Sequence, residues 1–325
     1  MPAEGVGSMI AARNANLVGW CAYDGQLWSQ EHLDAVRQYR PGIVRWFCSL
    51  DRYSDAVSRR SALRASVRAD LNEAARILDA VGSSLVVQLQ MKMPLWNGND
   101  AGNPTGLTWA RQSPREGWFA NPGVWMSFVD SIRSCLPSGL STVWGAWNEP
   151  DWVMRWWWES RIPEWVARPW QDGWWVLPPH HAFGWTGGLE RLAGYRALLP
   201  DLTWCSDGIG VDGSYWPQTY GRGDGGRSVG VSVLDVHSYQ TSAVAHLDYI
   251  GRYLQGPQSE SFFLGEFGSD ASSGAVWDAQ SRATTEDVAV TLAAAHSGFA
   301  GLCVHSGGPQ LPHCWQVGPV PQIPR

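Results

Sequence analysis

From end to end the chain alternates short apolar runs with longer segments of helical periodicity, and this rhythm restricts its fold more than any other feature. Runs of six to eight residues occur at 16–23, 42–48, 84–91, 141–147, 202–207, 231–237, 261–266 and 299–304. Near-continuous apolar character over that length fits parallel strands covered on both faces, since a half-wet strand would alternate. Between the runs, 57–81 places Leu63, Val67, Leu71, Ala74 and Leu78 at spacings of four and three, which is one stripe of a helix. Further helices are predicted near 30–40, 121–135, 187–199, 242–255 and 284–297, with Ser242 and Thr284 standing where N-caps belong. Eight strands alternating with helices in 325 residues predict an α/β fold, a (β/α)8 TIM barrel, as one domain over 1–325. The rhythm weakens in two places: 208–230 is rich in Gly, and 307–325 is a Pro-rich tail.

Two connections are long, 92–120 after the third run and 148–186 after the fourth. Long loops inside a compact domain are usually functional, and loops that follow barrel strands gather on the face where active sites form. Tryptophan concentrates there. The chain has 22 Trp against 9 Tyr and 8 Phe, and ten of the Trp fall between residues 144 and 175. An indole is a large ring whose N–H needs a partner, so a core has little use for so many. Part of the 148–186 insertion packs as a satellite core on this reading, while Trp96 and Trp152 offer flat faces to a ligand.

Net charge −6 provides no electrostatic footprint for nucleic acid. No apolar run reaches the roughly 18 residues of a membrane span. Residues 1–16 lack the basic and apolar regions of a secretory signal, which leaves localisation open between the cytoplasm and export by another route. The cysteines, Cys21, Cys48, Cys135, Cys205, Cys303 and Cys314, form no CxxC pair, and four lie in predicted strands, so buried reduced thiols are expected, with one or two disulfides the alternative if the chain is exported. No metal or organic cofactor is implied. The only lysine, Lys92, follows the third strand, so any Schiff-base chemistry would have to use it.

Two carboxylates stand out. Glu149 ends the fourth run in VWGAWNEPDW, and Glu266 ends the seventh in FFLGEFGSD. A carboxylate at the C-terminal end of a barrel strand points into the mouth, and strands four and seven face each other across it. The alternatives are an ordinary turn at Asn148–Pro150 and a structural carboxylate paired with Arg45.

The WNEP and GEFG motifs, in this order and on these strands, resemble clan A of the glycoside hydrolases, retaining (β/α)8 enzymes that include families 5 and 39. The resemblance extends over roughly residues 16–306. It implies that Glu149 is the acid/base and Glu266 the nucleophile. It also implies that Arg45 contacts the nucleophile, that Asn148 binds the sugar 2-hydroxyl, and that His237 and Tyr239 of DVHSY are the clan's His-x-Tyr pair. The chain departs from the clan at the eighth strand. Where many members carry a Trp that floors the sugar subsite, this strand ends in Cys303, Val304 and His305, with Trp315 ten residues later. His305 and Trp315 are therefore the candidates to line that subsite. The expected function is a retaining, endo-acting β-glycoside hydrolase of poly- or oligosaccharides, working through a covalent glycosyl-enzyme. The alternative is a barrel that binds carbohydrate without cleaving it.

Overall fold

The computed structural model describes residues 13–49, 63, 65–90, 122–146, 148, 196–206, 231–254, 261–268, 279–305 and 323–324. Seven parallel strands form one curled sheet: β1 (Val18–Tyr23), β2 (Ile43–Ser49), β3 (Ser84–Gln90), β4 (Thr142–Gly145), β5 (Leu234–Tyr239), β6 (Phe262–Gly268) and β7 (Phe299–Val304). Their spatial order is β4-β3-β2-β1-β7-β6-β5. Helices α1 (Gln30–Tyr39), α2 (Ala65–Val81), α3 (Pro122–Arg133), α4 (Ala243–Tyr253) and α5 (Ala279–Ala295) lie between strands in the sequence.

The two edges of the sheet are joined through residues 203–206. Trp144 N donates to Thr203 O at 2.8 Å and Cys205 N donates to Trp144 O at 2.8 Å, while Ser206 N donates to Val233 O at 3.1 Å. This short segment lies where the fifth predicted run was expected, so β5, β6 and β7 are the sixth, seventh and eighth runs. The result is a TIM-barrel-like α/β architecture.

Alternation along the strands divides the core in two. One set of side chains, including Val44, Trp46, Leu85, Val87, Leu264 and Phe267, faces outward and packs with Leu71 and Leu78 of α2, Ile250 of α4 and Leu292 of α5. The other, Cys21, Ile43, Phe47, Val86, Val143, Cys205, Val233, Phe263, Ala300 and Cys303, fills the inner face. Two residues further along three strands, the inner face turns polar: Arg45 follows Ile43, Gln88 follows Val86 and Asp235 follows Val233, all fully buried. An apolar floor thus supports an ionic layer, and the mouth lies above it.

The capping reading is half right. Ser242 caps α4, its Oγ accepting from Ala245 N at 3.2 Å. Thr284 caps nothing, because α5 already begins at Ala279. The next residue shows how a hydroxyl is accommodated inside the helix: Thr285 Oγ1 donates to Ser281 O one turn back at 2.7 Å. Cys21, Cys48, Cys135, Cys205 and Cys303 are buried, and none is in a disulfide among the described residues; Cys314 lies outside them.

β5 and β6 pair with a register shift, Val236 opposite Leu264 and then His237 opposite Glu266. Gly265 is the extra residue of this bulge. Strict alternation from Phe263 inward and Leu264 outward would send Glu266 out among the helices. The bulge turns it inward instead, a familiar use of such irregularities near sites.

Candidate active site

Glu266 is 5% exposed and is met by side chains from four other parts of the sheet. Tyr239, at the end of β5, donates its hydroxyl to Oε2. Asn148, just beyond β4, donates Nδ2–H to Oε1 at 3.3 Å. Arg45 of β2 places Nη1 at 3.3 Å from the same oxygen. His237 Nδ1 lies 3.6 Å from Oε2, and His305, following β7, has Nε2 3.9 Å from it.

These neighbours decide the protonation of the group. Burial alone would raise the Glu266 carboxyl, but His237, His305, Arg45 and the Tyr239 hydroxyl outweigh it and hold the pKa down at about 2. Glu266 is therefore an ionised carboxylate at neutral pH. Burial also lowers His305, with His237 and Arg45 acting in the same direction and Glu266 opposing them. For Arg45 burial works against the charge, and the carboxylates of Asp235 and Glu266 more than restore it.

Arg45 organises the layer beneath. Nη1 donates to His237 Nε2 at 2.6 Å. A guanidinium can only donate, so Nε2 is the acceptor and the proton of a neutral ring sits on Nδ1, facing Glu266. Nη2 donates to Gln88 Oε1 and to Asn148 Oδ1, each at 2.8 Å, and lies 2.8 Å from Asp235 Oδ2. Close approach depends on two glycines. A Cβ on Gly145 would overlap the Gln88 amide, and one on Gly265 would overlap Asp235 Oδ1 and sit 2.7 Å from Arg45 Nη1.

His305 is set in an aromatic frame. It shares a hydrogen bond with the Tyr23 hydroxyl, and its ring meets Tyr23, Phe47 and Tyr239 edge-on at centroid distances of 5.8, 6.3 and 5.7 Å. Tyr23 in turn stacks on Phe47 at 4.7 Å.

The structure thus brings together Arg45, Asn148, His237, Tyr239, Glu266 and His305. Glu149, Trp96, Trp152, Trp315 and Lys92 lie outside the described residues. Asp235, Gln88 and Tyr23 were not singled out from the sequence. The available signal was a polar residue recurring at the inward, period-two positions of otherwise apolar runs, as in SLVVQLQ and LDVHSY. Among the described residues no group of His, Cys, Asp or Glu is arranged to hold a metal ion.

Solved structures with the same architecture exist. A trimodular GH5_4 subfamily endoglucanase superposes with a TM-score of 0.59 at 11% identity, covering 93% of this chain and 57% of its own. The chain therefore spans little more than half the length of that protein. The fold is that of the family 5 endoglucanases. An endo-β-1,4-glucanase from Xanthomonas axonopodis pv. citri agrees at TM-score 0.52 and 10% identity, over 93% of this chain and 91% of the other. XacCel5A in complex with cellopentaose agrees at TM-score 0.51 and 11% identity, over 93% of both chains. No family model and no curated protein matches the sequence. Among the described residues no helix is long and apolar enough to cross a membrane.

Proposed function

We propose that the protein is a retaining, endo-acting β-glycoside hydrolase of poly- or oligosaccharides, with Glu266 as nucleophile and Glu149 as acid/base. The observation that carries this reading is Glu266 itself, a buried carboxylate kept ionised at the C-terminal end of a parallel strand and met there by Tyr239, Asn148 and Arg45. Such a group is prepared to attack an electrophilic carbon rather than to hold a proton. Asn148, bonded to Glu266, is the residue before Glu149, which favours a second carboxyl close by. Retention requires the two carboxyl groups about 5–5.5 Å apart.

In the first step Glu266 attacks the anomeric carbon while Glu149 protonates the departing oxygen. In the second, Glu149 takes a proton from water, which attacks the same carbon and releases Glu266. His237 and Arg45 hold the nucleophile in place. His305, in its frame beside Glu266, lines the sugar subsite. The fold shared with endo-β-1,4-glucanases and the Trp-rich segments at 92–120 and 148–186 support a glucan-type chain running along an open cleft. The same reading makes 1–325 one catalytic (β/α)8 domain with long loops after strands three and four.

A panel of β-glucans and aryl β-glycosides tests the proposal, with the anomeric configuration of the first product followed by NMR. Hydrolysis with retention is expected. Glu149→Gln should lose about 10²–10⁴-fold on unactivated substrates and far less with a dinitrophenyl leaving group, which needs no acid. Glu266→Gln should be inactive on both. If wild type binds glucans but cleaves none of the panel, the protein is a binding barrel.

A further inference from the structure

Asp235 is wholly buried, and among the described residues neither of its carboxylate oxygens takes a hydrogen bond. Its close charged partner is Arg45, with Nη2 2.8 Å from Oδ2, while His237 Nε2 lies further off at 3.6 Å. The donor count explains the missing hydrogen bond. Each terminal nitrogen of a guanidinium carries two protons. Those of Nη1 go to His237 and Glu266, and those of Nη2 go to Gln88 and Asn148. No terminal N–H remains for Asp235, so the two groups interact as charges.

A carboxylate buried without hydrogen bonds is costly, and an apolar residue in its place would be cheaper for stability. Here the backbone makes room for it, since only a residue without a Cβ at 265 leaves space for Asp235 Oδ1. We propose that Asp235 is a positioning residue that shares the charge of Arg45 with Glu266, keeping the nucleophile reactive while the guanidinium holds it in place. Without Asp235, Glu266 would be the one carboxylate facing the Arg45 cation, at 3.3 Å, among the described residues. That cation would draw electron density from the attacking oxygen. It would also oppose the positive charge that develops on the sugar ring in an oxocarbenium-like transition state. The role in glycoside cleavage rests on the function proposed above, but the effect on the reactivity of Glu266 does not.

The experiment has one arm for each. In the first, full-length wild type, Asp235→Asn, Arg45→Gln and the double variant are treated with a small epoxide. Alkylation of Glu266 opens the epoxide, forming an ester and releasing an alkoxide that takes a proton from water. Mass spectrometry follows the labelled peptide. Asp235→Asn keeps the shape and removes the charge, and should slow labelling roughly threefold to tenfold, the effect of about one pK unit on a nucleophile. In the Arg45→Gln background the same change should do nothing. Equal labelling of wild type and Asp235→Asn, or an undiminished effect without Arg45, overturns the proposal. Asp235→Ser provides the same comparison should the Asn variant fold poorly.

In the second arm, dinitrophenyl β-cellobioside is the substrate. Asp235→Asn should lower kcat with KM little changed, whereas a merely structural loss would reduce the active fraction and leave the labelling rate of the folded protein unaltered. Wild type inert toward every aryl β-glycoside would remove the glycosidase reading, while the labelling arm would still decide the role of Asp235.

Discussion

His246 shows how a buried titratable group behind the site ties stability to pH. Its Nδ1 shares a hydrogen bond with Ser238 Oγ at 2.7 Å, and its ring stacks on Phe267, next to Glu266, with centroids 4.2 Å apart. Burial lowers its pKa from 6.5 to about 4, against a smaller opposing pull from the backbone of Gln240. Between those values the unfolded chain binds a proton that the folded chain refuses. Stability is therefore complete above pH 6.5 and declines as the pH falls toward 4, by about 3 kcal/mol at most from this group. Glu266 acts with the same sign in a lower window, between its ordinary 4.5 and about 2. Melting temperatures measured from pH 7 to 4 should fall for wild type and fall less steeply for His246→Gln. Parallel curves for the two proteins would refute the assignment. The ring itself was an unremarked letter in a helical stretch of the sequence. What makes it titrate so low is the outward face of β5 and β6, and no local pattern reports that.

At the level of the element, the bulge in β6 matters most. Gly265→Ala would press a methyl group into the side-chain ends of Asp235 and Arg45, which are fully buried and have little room to move aside. Overpacking of this kind costs about 1–3 kcal/mol, and in this position it also moves the strand that carries Glu266. If the proposed glycosidase activity holds, the variant should lose nearly all hydrolysis of activated and unactivated glycosides alike, and chemical denaturation should show it folded but less stable. Full activity would mean that the bulge tolerates a side chain. The strands themselves were legible because buried parallel strands read as continuous apolar runs, and β1, β2, β3 and β7 fall within a residue or two of 16–23, 42–48, 84–91 and 299–304. The direction of Glu266 was legible only through its motif. Counting by twos from Phe263 gives the wrong face, and a glycine inside a strand merely hints at a bulge. Helix starts were less readable still: Ser and Thr serve as caps or sit within a turn, as Ser242 and Thr285 show on neighbouring helices.

On the scale of the molecule, closure of the sheet depends on very little chain. The segment 203–206 joins β4 to β5 through a few backbone hydrogen bonds, and Trp204 anchors it, 2% exposed, with its indole N–H donating to Leu199 O at 3.1 Å and its ring near Trp144 at 6.4 Å. Trp204→Ala should cost about 3–5 kcal/mol. Hydrogen exchange should locate the loss at β4 and β5 before β1 or β2, and uniform loss across the sheet would contradict this account. At the opposite pole from the mouth, Ile323 O accepts from Leu17 N at 2.9 Å, and Pro324 bridges to Asn16 in antiparallel fashion. Both ends of the described chain thus meet beside the entrance to β1. A protein coupled to a solid support at that pole would stand with every Glu266 facing the liquid, so the glycosidase activity proposed for it should survive this attachment better than a random one.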